Sequence, residues 1–233
     1  MRKFLAALVA LTSVLVAAPA VAGAQTGTSQ VYVTHGLPLD NAGTKVDVYV
    51  NGALTLDDFT FGTTAGPLTL PAATYNVQIK TPDGASTLIT KSVDVPAGGN
   101  FSLVASFVDA AGTPGINVFA NKVSRIGRTG ARVALHHAAA APSVDVLLGR
   151  YPISRKFPRL RFPVAKNAPN GAQANLWLRA KRGYTFDVNV AGTSTTVLSL
   201  DNAKFPGRTL TNVYVVGSAS GGTLQFLTST IKL

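Results

Sequence analysis

The chain has 233 residues, of which 46% are apolar and only 13% charged, with a net charge of +11 and neither Cys nor Glu. The missing Cys excludes a disulfide framework, a thiolate metal site, a lipid-modified Cys and a Cys nucleophile. The low charge and the abundance of Val, Thr, Gly and Pro favour strands and turns over exposed helices, which draw on Glu and Lys.

Met1-Arg2-Lys3 is followed by a nearly unbroken apolar run from Phe4 to Ala18 and by Ala22-Gly23-Ala24. A positive start, an apolar middle and small residues at the cleavage positions make residues 1–24 a signal peptide, so the mature protein is expected to begin at Gln25. The apolar run is about fifteen residues, short of the roughly twenty that span a bilayer. No second run of that length follows, so no integral membrane span is expected in the mature chain. The expected destination is secreted, either extracellular or associated with the cell envelope.

Lys45-Val46-Asp47-Val48-Tyr49-Val50 alternates with period two and runs into Asn51-Gly52, a hairpin turn. Tyr75 to Lys80 alternates again, with Pro82-Asp83-Gly84 as its turn, and Thr87 to Val95, Phe101 to Val108 and Ile116 to Ala120 are further strands. The pattern then recurs. Val46-Asp47-Val48 returns as Val144-Asp145-Val146, and the same offset sets Phe59 against Phe157. Thr74-Tyr75-Asn76-Val77 returns as Gly183-Tyr184-Thr185-Phe186, and Val93-Asp94-Val95 as Leu198-Ser199-Leu200. Ile116-Asn117-Val118-Phe119 returns as Leu224-Gln225-Phe226-Leu227. The expectation is an all-β chain of two tandem immunoglobulin-like or transthyretin-like β-sandwich domains, each with roughly seven short strands. Their expected bounds are 25–122 for the first and 131–233 for the second, with a linker at 123–130 that is polar and basic.

Arg132-Val133-Ala134-Leu135-His136-His137, then small residues with a Pro, then Val144-Asp145-Val146, resembles the opening of a bacterial domain-of-unknown-function family, number 4397. Gly183-Tyr184-Thr185 and Val213-Tyr214-Val215-Val216-Gly217 are similar to its later strands. The first half departs, with His35 twelve residues before Asp47 and Ala73-Thr74-Tyr75 in place of the Gly-x-Tyr form. The resemblance implies two copies of a sandwich in an exported envelope protein and brings no assigned reaction.

No catalytic site is expected. His35 with Asp47 and His136 with Asp145 suggest acid–base pairs, but each reads better as a strand-end His tied to the next strand's Asp. No metal or cofactor is expected either. Adjacent residues such as His136 and His137 point to opposite faces of a strand and cannot chelate one ion. Asp40 to Thr44 offers too few oxygen ligands for calcium, and Asp57-Asp58 is poor geometry for a glycosidase pair.

Charge is divided unevenly. Residues 25–120 carry three Lys and seven Asp, whereas residues 121–233 carry sixteen Lys or Arg and three Asp. Such a division calls for an anionic partner or for contact between opposite halves. The densest stretch holds Arg150, Arg155, Lys156, Arg159, Arg161 and Lys166, with Tyr151, Phe157 and Phe162 between them. Pro152, Pro158 and Pro163 bar it from the middle of a sheet, so it is expected at an edge or in a loop. Guanidinium groups bind phosphate or carboxylate through paired hydrogen bonds, and aromatic rings stack. Arg150, Arg155, Lys156, Arg159, Arg161, Lys166, Tyr151 and Phe157 are therefore the expected anionic-ligand site, although Lys and Pro also protect an edge strand from unwanted pairing. The function expected is a secreted or envelope-associated, non-catalytic binding or adhesion protein. Its second domain would contact an anionic cell-wall polymer, an acidic glycan or another polyanion. The alternatives are self-association through acidic-to-basic contacts and, last, a secreted hydrolase.

Overall fold

The computed structural model describes residues 27–38, 45–151 and 161–233. The expected signal peptide at 1–24, the expected turn at 40–44, and Arg155, Lys156, Phe157 and Arg159 lie outside the described residues.

Sixteen strands make up the described chain. The first eight are β1 (Thr28–His35), β2 (Lys45–Val50), β3 (Ala53–Thr60), β4 (Thr64–Pro71), β5 (Ala73–Lys80), β6 (Thr87–Val95), β7 (Asn100–Phe107) and β8 (Pro114–Ala120). The second eight are β9 (Gly130–His137), β10 (Val144–Tyr151), β11 (Arg161–Ala168), β12 (Gln173–Arg179), β13 (Gly183–Val190), β14 (Thr196–Lys204), β15 (Thr209–Val216) and β16 (Gln225–Lys232). The first set forms sheets β4-β1-β7-β8 and β3-β2-β5-β6, and the second repeats that order as β12-β9-β15-β16 and β11-β10-β13-β14. The chain is thus all-β and built as two β-sandwiches, with residues 121–129 between the two sets of strands. Each set has eight strands where about seven were expected. The edge strands β3 and β4 carry Asp57-Asp58 and Gly66-Pro67, which blur a period-two pattern and which an edge tolerates because one side of it needs no partner.

The register shows what the recurring Val-Asp-Val does. Asp47 Oδ1 accepts the backbone N–H of Asp58 at 3.1 Å, and Asp145 Oδ1 accepts that of Asn167 at 2.7 Å. Asp58 and Asn167 both have left-handed φ, 51° and 46°, beside the register shifts that mark bulges in β3 and β11. The motif clamps a bulge in each edge hairpin. It also fixes the equivalence of the halves: Lys166-Asn167 answers Asp57-Asp58, and Ala168, opposite Val144, answers Phe59, opposite Val46. The sequence offset that set Phe59 against Phe157 therefore fails. Asn51-Gly52 closes the first hairpin in two residues, whereas residues 152–160 separate β10 from β11, and a constant offset does not survive the longer connection.

The cores differ in filling. Val77, two residues before Ile79 (which pairs with Val48), corresponds to Phe186, two residues before Val188 (which pairs with Val146). Phe186 is wholly buried and meets Phe205 edge-on at 6.0 Å. In the first sandwich the same region is a cavity of about 110 Å³ lined by Val77, Val93, Val95, Leu68, Leu70 and other apolar side chains. Val77→Phe is expected to raise stability by about 1 kcal/mol, as cavity-filling changes do. Denaturant unfolding measures it, and a lower midpoint would show that the ring does not fit.

Every residue of β9 and β15 is buried. One face of these strands, with Val133, Leu135, Val213 and Val215, builds the second core. The other face meets the first sandwich, where Val104 and Phe119 pack against Ala138, Tyr214 and Val216. The two sandwiches are therefore stacked face to face, which explains why Val213 to Val216 reads as an unbroken apolar run.

Candidate functional site

A polar network crosses the seam between the sandwiches. Asn212 Nδ2 donates to Asn121 Oδ1 at 3.1 Å, while Asn121 Nδ2 donates to Ser102 Oγ at 2.9 Å and to Asn100 Oδ1 at 2.8 Å. With its amide fixed this way, Asn212 turns Oδ1 to His136 Nε2 at 3.1 Å, so that nitrogen carries the proton. The His136 ring stacks on Tyr214 at 4.6 Å and meets Phe119 at 4.3 Å. Burial lowers its pKa to about 4. Burial also raises the Tyr214 phenol above its ordinary value, among Thr34, Ser102, Asn212 and Ser229. These groups join two domains and are sealed from solvent.

The His–Asp pairs read from sequence take other partners. His136 bonds to Asn212, and Asp145 accepts backbone N–H groups from Asn167 and, at 2.9 Å, from Gly192. Those two bonds hold the Asp145 carboxyl below the ordinary carboxylate range. The counterpart of His35 is His137, since both strand-end N–H groups bond across to the chain beside the adjoining edge strand (His35 to Thr63 O, His137 to Ala172 O). His35 itself lies against Phe59 and Phe61 and accepts the Leu37 N–H through Nδ1 at 3.4 Å. Carboxylate oxygens of Asp47, Asp57 and Asp58 come within 4.8 Å of one another. Asp58 is already paired with Lys45 Nζ at 2.6 Å and Asp47 with the Asp58 N–H, so the cluster is accounted for by local structure.

Of the residues expected to bind anions, Arg150, Tyr151, Arg161 and Lys166 lie among the described residues, and these four do not form one cluster. Arg150 and Tyr151 are exposed at the end of β10. Arg161 lies on edge strand β11, where its Nε donates to Asp187 Oδ2 at 2.5 Å, with both side chains mostly buried. The guanidinium crosses Gly149 to get there, and a Cβ at 149 would lie 2.3 Å from Nη1. Ser199 Oγ donates to the same Asp187 at 2.8 Å. Lys166 is exposed at the far end of β11, beside Asp145. Five residues of strand, about 17 Å, separate it from Arg161.

Other cations join Arg150 instead. Tyr151 pairs with Gly183, Gly183 with Lys204, Arg179 with Gly130, and Thr209 with Lys232. Lys181 N bonds to Phe205 O, and Arg208 N to Gly130 O. These pairings bring Arg128, Arg150, Arg179, Lys181, Arg182, Lys204, Arg208 and Lys232 to one end of the second sandwich, all exposed. β10 ends and β11 begins at the same end. Asp187, held by Arg161, and Asp201 lie further along the sheet. Sequence reading missed this grouping because its members are scattered from 128 to 232. Arg179-Ala180-Lys181-Arg182 was the one local signal available.

Two stacked sandwiches with a buried seam and one basic end define a two-domain β-sandwich protein. The sequence model of the family described as domain of unknown function DUF4397 matches residues 29–147, and the chain belongs to that family. The match covers the first sandwich, β9 and the first half of β10. No curated protein matches the chain. Among solved structures, CBMbc (family CBM26) from Eubacterium rectale Amy13K, in complex with maltoheptaose, is 10% identical with a TM-score of 0.27, over 88% of this chain and 97% of that one. A candidate cell adhesion protein from Bacteroides uniformis is 13% identical with a TM-score of 0.26, over 88% of this chain and 98% of that one. At these scores neither likeness bears on what this chain does. No helix among the described residues is long and apolar enough to cross a membrane, which says nothing of strands.

Proposed function

We propose that the chain is an exported, non-catalytic binding protein whose second sandwich, read as a second copy of the family domain, holds an anionic polymer at its basic end. The observation that supports this most is the gathering of eight exposed cations at one end of that sandwich. Their charges add in a field that no single strand would generate. Residues 152–160, with Arg155, Lys156 and Arg159, extend the same cationic set in sequence. The side chains packed together where the sandwiches meet are Val104, Phe119, Ala138, Tyr214 and Val216, and none of the eight cations is among them.

The test uses the full mature chain, from Gln25, because the outer face of β9 and β15 would be bare in an isolated second domain. Binding to heparin and to polyphosphate is measured against salt. The affinity is expected to fall steeply past about 0.15 M, where the Debye length is near 8 Å. Salt-independent binding, or none to either probe, would reject the reading. Light scattering on the same samples decides self-association, which requires a mass that rises as salt is lowered.

A further inference from the structure

We infer that Trp177 is the stacking platform of a saccharide subsite on the outer face of β12, so that the polymer held at the basic end is an acidic polysaccharide. This rests on the anion-binding reading above and narrows it.

Trp177 is the single Trp of the chain and, at 64%, has the largest exposure among the exposed large hydrophobic side chains of the described residues. Its neighbours Leu176 and Leu178 turn into the second core. By alternation Gln173, Asn175, Trp177 and Arg179 share the other face of β12. β12 is an edge strand. The indole lies across Gly130 of the adjoining strand, where a Cβ would stand 2.8 Å from Nε1 and 3.1 and 3.2 Å from Cε2 and Cζ2. A side chain at 130 would therefore displace the ring, so Gly130 seats one side of the indole and leaves the other to solvent.

The surroundings are built in the same row. Gln173 Nε2 is held by Ala120 O at 3.2 Å and by Asn175 Oδ1 at 3.3 Å, which fixes the Asn175 amide with its nitrogen outward. Arg132, opposite Trp177, is pinned by the carbonyls of Lys122 and Ser124 and by Ser124 Oγ. Arg179, one step further along, is exposed and belongs to the basic end. The face thus presents an amide, an aromatic ring and a guanidinium at spacings of about 6.8 Å.

A pyranose ring carrying a carboxylate or sulfate satisfies all three. Its C–H face rests on the indole, its hydroxyls meet the amide, and its acid meets the guanidinium in a charge-assisted bond. Polyphosphate has no ring to place there. A single-stranded nucleic acid stacks successive bases on successive aromatic side chains, and this row holds one. Tyr151 and Phe162 belong to the other sheet.

The single Trp supplies its own readout. Full-length mature protein is titrated with an oligogalacturonate, with polyphosphate and with oligo-dT, following tryptophan emission and, independently, calorimetry. Oligogalacturonate is expected to change the emission saturably, and polyphosphate to bind without changing it. Trp177→Ala is expected to weaken oligogalacturonate roughly tenfold, the scale of losing one stacked ring. Trp177→Phe is expected to restore part of the affinity, with polyphosphate unaffected by either variant. If oligogalacturonate binds the Ala variant as tightly as the parent, or does not bind while polyphosphate does, the saccharide subsite is overturned and the basic end stands. Oligo-dT binding more tightly than oligogalacturonate, with the larger emission change, assigns the platform to bases and also overturns it. Failure of all three probes rejects the anion-binding reading itself.

Discussion

Replacing Lys181, Arg182, Lys204 and Arg208 together with Ala is expected to lower polyanion affinity at 0.15 M salt by about a hundred- to a thousandfold. The four are exposed and come from the β12–β13 turn, the end of β14 and the segment before β15. Each cation that neutralises a phosphate of duplex DNA contributes about −0.9 to the slope of log affinity against log salt. Four lost contacts therefore flatten the slope by about 3 to 4 and remove about three decades of affinity at 0.15 M. The upper figure holds if all four touch the polymer. Exposed positions of this kind change stability by about 0.5 kcal/mol or less each, so the unfolding midpoint is expected to hold. The same substitution at Arg161 and Lys166 is expected to alter the slope far less. Arg161 already serves Asp187, and Lys166 stands at the opposite end. A slope unchanged by the quadruple variant, with the fold intact, would disprove the assignment of the basic end.

The second large effect lies in the seam. Tyr214 is fully buried between the sandwiches against His136, Phe119 and Val104. Tyr214→Ala is expected to cost about 3 to 5 kcal/mol, the usual range for emptying a buried aromatic site. Acid acts on the same place through His136. Its folded pKa is about 4 against an ordinary 6.5, because burial opposes the charged ring. The unfolded chain therefore binds a proton first as pH falls. Stability is full above pH 6.5 and is lost down to about pH 4, by about 3 kcal/mol at 1.36 kcal/mol for each pKa unit. Burial lowers the His137 pKa as well, which adds loss in the same direction. Denaturant unfolding at pH 7.5, 5.5 and 4.0 measures this. His136→Gln is expected to flatten the profile over that window even if it lowers stability overall. An equally steep profile in that variant would mean that another group titrates.

The two cases divide what the chain declares from what folding assembles. Alternation in Lys45 to Val50 and Tyr75 to Lys80, the Asn51-Gly52 turn and the return of Val-Asp-Val were enough to give an all-β chain of two sandwiches. These are local signals, because side-chain direction in a strand repeats every two residues and a two-residue turn needs left-handed φ. Charge division between the halves was equally plain, since charge is a property of composition. The role of each Asp in Val-Asp-Val was not plain. A carboxylate that clamps the bulge eleven or twenty-two residues away looks in sequence like half of a His–Asp pair.

The basic end was hidden for a different reason. Antiparallel pairing puts the end of one strand beside the start of the next, so Arg150, Arg179, Lys204 and Lys232 meet across more than eighty residues of chain. Of the densest linear run, by contrast, strand geometry set Arg161 and Lys166 toward opposite ends of β11. The seam shows the same limit. Asn121, His136 and Asn212 are unremarkable residues until the two sandwiches stack and close water out from around them. Sequence alone determined the all-β class, the strands that alternate cleanly and which half carries the charge, because these follow from neighbouring residues. Tertiary structure alone decided which cations act together, which His loses its proton to burial and why Trp177 lies open on Gly130, because each depends on strands brought together from distant parts of the chain.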